Sequence, residues 1–186
     1  GVILTDLVQF TIAVVASIVF AAVAVGADGG LGGLADGLTA AYPDAGELMA
    51  FVPRSGAAWL PLQVFAIYLA VQWWAQYFSD GSGYLAQRLF TARSDRDAEL
   101  GGLWFCMANY GLRTWPWVLI GLVSLVLFPL GAEGVGPAAA MVAGDREMAY
   151  PVLMARLLPA GLLGLLFASL LAAFMSTVDT HINWGS

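Results

Sequence analysis

Residues 159–177 carry no charged side chain and are long enough to cross a bilayer, which takes about 20 mostly apolar residues. Three further apolar stretches precede this one, over residues 10–25, 59–78 and 103–127. Across its 186 residues the chain is 60% hydrophobic and only 11% charged. Soluble domains carry about 25% charged residues, so this composition predicts an integral membrane protein built of helices. The formal charge is −6, with 13 acids against 7 bases, and every base is arginine. No basic patch of the kind nucleic acid requires is present. The single cysteine, Cys106, excludes an intrachain disulfide.

The last apolar stretch is not apolar on every face. At about 100° per residue, Ser169, Ala173, Ser176, Thr177 and Thr180 fall in one narrow arc. The large residues Phe167, Leu170, Leu171, Phe174, Met175 and Val178 fill the rest of the circumference. A small, hydroxyl-bearing stripe on a spanning helix has two uses. It lets a second helix approach closely, with hydroxyls bonding across the seam. It can also hold a hard, oxygen-preferring cation, with adjacent hydroxyls and a carbonyl one turn back as ligands. Geometry alone leaves both open.

Polar groups elsewhere within the apolar stretches mark further candidate sites. Asp6 and Gln9 lie one turn apart on one face of the first helix. The acid fits either a solvated helix start, where the macrodipole favours it, or a place beside an ion path. The second helix carries Gln63, Gln72 and Gln76, then Ser79, Asp80, Gly81, Ser82 and Gly83. Two glycines and three polar groups there predict a broken helix, tolerated at membrane depth only where it lines a cavity or is buried in protein. In the third helix Arg113 lies too deep for its guanidinium to reach water easily and needs a partner or a wet cavity. Substrate contact and a structural pair with Asp80 or Asp179 are the two readings. Pro116 is expected to clash with the carbonyl of Leu112 and kink this helix.

Between the apolar stretches, residues 31–41 and 45–51 read as short helices and residues 145–158 as an amphipathic surface helix whose start Pro151 interrupts. Residues 89–102, with Arg93 and Arg96 just after Arg88, read as a cytoplasmic loop, because arginines near membrane ends set orientation. Helices one and three then run outward, and two and four inward. Residue 94 faces the cytoplasm, and residues 45 and 144 face outside. Trp59, Trp104 and Trp184 suit the interfacial aromatic belt. Ser176, Asp179 and His181 do not make a catalytic triad, since His181 points about 160° away from Asp179 around a helix. No enzyme motif is found, and a phosphate loop at residues 80–83 is refused for want of a lysine and a strand.

The segment Ala172-Ala173-Phe174-Met175-Ser176-Thr177-Val178-Asp179-Thr180 resembles the signature of the sodium/solute symporters, the family of sodium/proline and sodium/sugar cotransporters. Leu4-Thr5-Asp6-Leu7-Val8-Gln9 is similar to that family's Trp-Thr-Asp-x-x-Gln motif in the fifth core helix, with Leu4 in place of the tryptophan. Residues 84–88 resemble the Tyr-x-x-Gln-Arg ending of the sixth core helix, and residues 112–117 resemble one subgroup. The resemblance implies sodium ligation by the Ala173 carbonyl and the Ser176 and Thr177 hydroxyls, and an ion exit at Asp6. It implies solute contacts on the second helix at Gln72, Gln76 and the aromatic Phe78, and at Arg113 on the third. Ala75 stands where sugar symporters have an asparagine, which argues against a sugar.

The fold implied is an all-α integral membrane protein with four transmembrane helices, over residues 2–25, 59–88, 103–127 and 159–183. The second is broken, short extramembrane helices join them, and the whole matches core helices five to eight of an inverted-repeat, LeuT-type transporter. Such a chain is part of a sodium-coupled secondary transporter working by alternating access. A transmembrane accessory or scaffold subunit is the alternative. The expected partners are the lipid bilayer, sodium, a small polar solute and the remainder of the transporter, with sodium as coupling ion and no other cofactor. Its expected place is the bacterial inner membrane, with the loop over residues 88–102 cytoplasmic.

Overall fold

The computed structural model describes residues 2–57, 60–75, 83, 86, 89–131 and 136–185, without the side chains of residues 2, 3, 180 and 183–185. These residues form two compact units, residues 1–41 with 110–186 and residues 42–109. The described residues are helices, turns and loops, and three helices are long and apolar enough to cross a membrane: Leu4–Ala27, Asp95–Leu127 and Ala160–Asp179.

In the first unit, α1 (Val2–Ala27) is mostly apolar, with Asp6 and Gln9 near its start, and the chain turns after it at Gly29 and Gly30, both with positive φ, 83° and 81°. Glycine reaches that left-handed backbone without steric cost, so the chain reverses at once into α2 (Gly30–Ala41). Two glycines of α2 sit where nothing larger fits. A Cβ at Gly33 would overlap the carbonyl oxygen of Asp28, and one at Gly37 would lie 2.8 Å from a methyl of Val126.

The second unit opens with the single helical turn α3 (Ala45–Leu48), shorter than the 45–51 span expected of it. The helix α4 (Leu62–Ala75) is apolar but short, and Ile67, Trp73 and Trp74 stand exposed on it. A second span over residues 59–88 is therefore described only through Ala75, and its expected break falls almost wholly outside the described residues. Next comes α5 (Asp95–Cys106), which begins well before the expected span at residue 103. Ser94 caps it: the Asp97 amide donates to Ser94 Oγ at 3.2 Å, and Ser94 Oγ donates to the Asp97 carboxylate at 2.9 Å. Of the charged stretch read as a loop, residues 90–94 are turns and bends and residues 95–102 are the polar start of α5.

From α5 the chain passes through a π-helical turn, Met107–Leu112, into α6 (Thr114–Leu127). The π turn stands one turn before Pro116, where a kink is expected. Pro116 has no amide proton to give and crowds the carbonyl one turn back, and a widened turn just before it absorbs both effects.

Within the first unit, α6 ends at Phe128, whose carbonyl accepts from Arg146 Nη1 at 2.7 Å. That guanidinium satisfies a carbonyl the helix end leaves without an intrahelical partner. The helix α7 (Pro137–Gly144) and a 3₁₀ turn, Arg146–Met148, lead into α8 (Ala149–Leu157). Pro151 lies in the first turn of α8, where a missing N–H costs nothing. Residues 145–158 therefore form two pieces, and α8 is amphipathic: Ala149, Leu153 and Met154 are buried where it packs on α1 and α6, and Pro151, Ala155 and Arg156 are exposed. The last helix, α9 (Ala160–Gly185), packs along α1. Leu158, Leu162 and Leu165 meet Val15, Val19 and Phe20 around a void of about 30 Å³. Ser176 meets Asp6 at the other end, so α9 runs antiparallel to α1. With Gly37 of α2 against Val126, α6 runs in the same direction as α1.

Candidate functional site

The facing surfaces of α1, α6 and α9 line an open cavity of about 530 Å³. From α1 come Gln9, Phe10, Ala13, Val14 and Ser17, at helical spacing along one face. Arg113, Thr114 and Trp117 come from the start of α6, and Ser169, Leu170, Ala173 and Ser176 from α9. Small and hydroxyl side chains on two of the three walls leave the space between the helices unfilled. A cavity of this volume, mostly apolar with a few convergent polar groups, suits a small ligand.

The hydroxyl stripe of α9 divides along its length. Ser169 is buried, 3% exposed, and donates to the carbonyl of Leu166 at 2.7 Å within its own helix. Thr177 Oγ1 donates to the carbonyl of Ala173 at 3.0 Å, so two of the three expected sodium ligands stand side by side. A hydroxyl that donates one proton keeps lone pairs free to accept a cation. Ser176, the third, turns the other way and donates to Asp6 Oδ1 at 2.7 Å. A hydroxyl on a carboxylate is a charge-assisted bond, about twice as strong as a neutral one. The expected ion-exit acid and an expected sodium ligand therefore touch, across a sequence separation of 170 residues.

Of the expected solute contacts, Arg113 reaches the cavity wall, at the joint between the π turn and α6. Gln72 lies half-buried on α4, in the other compact unit. Gln76, Phe78 and Asp80 lie outside the described residues. Asp179, the other carboxylate considered for Arg113, is exposed, as is His181. No group of three or more His, Cys, Asp or Glu able to hold a metal occurs among the described residues.

Sequence reasoning missed the α1 wall. Gln9, Ala13 and Ser17 repeat at the same helical spacing that exposed the α9 stripe, and that signal was available. It also missed what stands behind Trp117. Tyr150 of α8 stacks on that indole with ring centres 4.6 Å apart and planes 10° from parallel. Its edge meets fully buried Phe20 at 5.2 Å and 87°. Burial raises the Tyr150 phenol above its ordinary 10.0, with the neighbouring Ser17 hydroxyl acting the other way.

Comparison with known proteins agrees with this assembly of helices. The sodium:solute symporter family model matches residues 1–186. A sodium/mannose cotransporter of Bos taurus is 28% identical over 208 residues, covering 100% of this chain and 33% of that protein. A sodium/myo-inositol cotransporter 2 of Sus scrofa is 36% identical over 110 residues, covering 55% of this chain and 16% of that protein. A sodium/myo-inositol cotransporter of Homo sapiens is 33% identical over 110 residues, with 55% and 15% covered. No solved structure matches the chain. The chain thus spans about a third of the length of the cattle protein. These relatives are transporters rather than enzymes, and this chain of apolar helices belongs to the sodium:solute symporter family.

Proposed function

We propose that this chain is part of a secondary transporter that couples inward sodium flow to uptake of a small polar solute by alternating access. The observation that carries the reading is the contact between Ser176 and Asp6, which ties the hydroxyl stripe of α9 to the acid of α1 at one end of the cavity. In this reading the Ala173 carbonyl and the Ser176 and Thr177 hydroxyls ligate sodium. Asp6, already bonded to Ser176, takes the ion as it leaves. Ser176 donates its proton to Asp6 across that 2.7 Å bond, which leaves its lone pairs available to the ion beside the carboxylate.

Arg113 contacts the solute, and Gln72, Gln76 and Phe78 supply the remaining contacts from the second helix. The solute is a polyol of the myo-inositol kind, after the names of the relatives, since Ala75 argues against a sugar. The cavity wall supports this, since Arg113, Thr114 and Ser17 are hydrogen-bonding groups set among apolar ones.

The test is the sodium dependence of uptake by the whole transporter carrying this segment. Ser176→Ala or Thr177→Ala is expected to raise the sodium half-saturation concentration about tenfold or more, equivalent to about 1.4 kcal/mol of ion binding. Ser169→Ala, two turns away and satisfied within its own helix, should leave it nearly unchanged. An equal response of all three would reduce the stripe to helix packing.

A further inference from the structure

Trp117 lines the cavity from α6 and is 43% exposed, although one side of its ring system is covered. The cover is Tyr150 of α8, whose ring lies within 10° of parallel with centres 4.6 Å apart. A stacked ring closes one face of an indole, so the surface left open is the opposite face and the edge. The same Tyr150 ring meets Phe20 of α1 at 87° and 5.2 Å, and Phe20 is fully buried. Close packing around Phe20 leaves it no room to yield. Tyr150 is thus wedged between two helices that wall the cavity and backs the indole from the side away from its open face.

An indole held from behind is ordered before a ligand arrives, so binding does not have to order it. Its face is flat and apolar and makes no directional hydrogen bond; it packs on C–H surface. Arg113 stands one turn earlier on α6, on the same side, and lines the same space with hydrogen-bond donors. A ring polyol has hydroxyls around its rim and C–H groups above and below the ring, and the two wall groups match that division. We infer that the open face of Trp117 receives the C–H face of the transported solute, and that Tyr150 is a positioning residue that fixes the indole for it.

This rests on the reading of the chain as part of a sodium-coupled polyol transporter, and the experiment separates the two. Sodium-driven uptake of myo-inositol is measured in the whole transporter, per amount of folded protein in the membrane. The variants are Tyr150→Phe, Tyr150→Leu, Trp117→Leu and the double leucine variant. Tyr150→Phe keeps the stacked ring and removes a hydroxyl that has no hydrogen-bond partner, so KM should stay within about twofold of wild type. Trp117→Leu should raise KM about tenfold and Tyr150→Leu about fivefold, with sodium half-saturation unchanged in both. In the double variant KM should rise no further than in Trp117→Leu, because Tyr150 acts through the indole. An unchanged KM in Trp117→Leu overturns the inference. So does Tyr150→Leu with less folded protein but normal KM, or a double variant whose KM is the product of the two single effects. Should a leucine variant fail to reach the membrane, quenching of tryptophan fluorescence by acrylamide tests the same contact. Myo-inositol should protect part of the fluorescence in wild type and not in Trp117→Phe, and protection that persists in that variant overturns the inference. Absence of sodium-driven polyol uptake in the wild type defeats the functional reading itself, and the roles of Trp117 and Tyr150 fall with it.

Discussion

Two residues whose roles the sequence leaves open, Ser176 and Arg113, are separated by what the folded chain puts beside them. Ser176 and Thr177 are neighbours in sequence with the same hydroxyl chemistry, yet one bonds a carboxylate on another helix and the other its own backbone. Consecutive side chains on a helix diverge by about 100°, so adjacent hydroxyls face different partners unless an ion draws them together. The hydroxyl stripe was legible from spacing alone, but its division was not, because Asp6 lies 170 residues away. Arg113 was recognisable as a charge within an apolar stretch in need of a setting; its side chain is exposed and lines the cavity. If Arg113 contacts solute, Arg113→Gln should raise KM for uptake about tenfold with the amount of folded protein nearly unchanged. Loss of folded protein with normal KM in the remainder would assign it a structural pair instead. Titration of folded protein by gel filtration alongside transport kinetics decides between them.

At the level of elements, apolar stretches were easy to find and their ends were not. Length and apolarity identify a spanning helix because lipid offers the backbone no hydrogen bonds. Ends are set by local groups that composition does not reveal. Ser94 and Asp97 start α5 eight residues before the apolar stretch, because a reciprocal cap satisfies amides that water would otherwise hold. Residues 145–158 read as amphipathic, and the apolar face of α8 lies against α1 and α6, burying Leu153 completely. Hydrophobic periodicity shows that a face is covered and not what covers it. The close turn from α1 to α2 gives a stability prediction of its own. A methyl at Gly33 would meet the backbone carbonyl of Asp28, which cannot rotate aside as a side chain would. Gly33→Ala should destabilise the protein by about 1–3 kcal/mol. A lowered thermal transition in detergent, with Gly46→Ala in open space as the neutral control, is the expected result.

For the molecule as a whole, orientation in the membrane is the property least visible in helix packing and most visible in charge. Within the first unit α1 and α6 run one way and α9 the other, which fixes their relative directions without saying which end is inside. The arginines at positions 93 and 96 supply that choice. In a Cys106→Ala background, a cysteine at position 91 is expected to react with an impermeant thiol reagent only from the cytoplasmic side. Cysteines at 46 and 144 should react only from outside; position 46 replaces 45 because Ala45 is buried. Labelling of position 91 in intact cells would reverse the orientation.

Sodium coupling is the claim on which the rest depends, and it is measured most directly in proteoliposomes of the whole transporter. Labelled myo-inositol is offered under an inward sodium gradient or an equal inward potassium gradient, with membrane potential clamped. The account predicts accumulation above the external concentration with sodium, none with potassium, and loss of accumulation at the same sodium concentration in Ser176→Ala. Equal accumulation with either cation, or accumulation in Ser176→Ala indistinguishable from wild type at every sodium concentration, would contradict it.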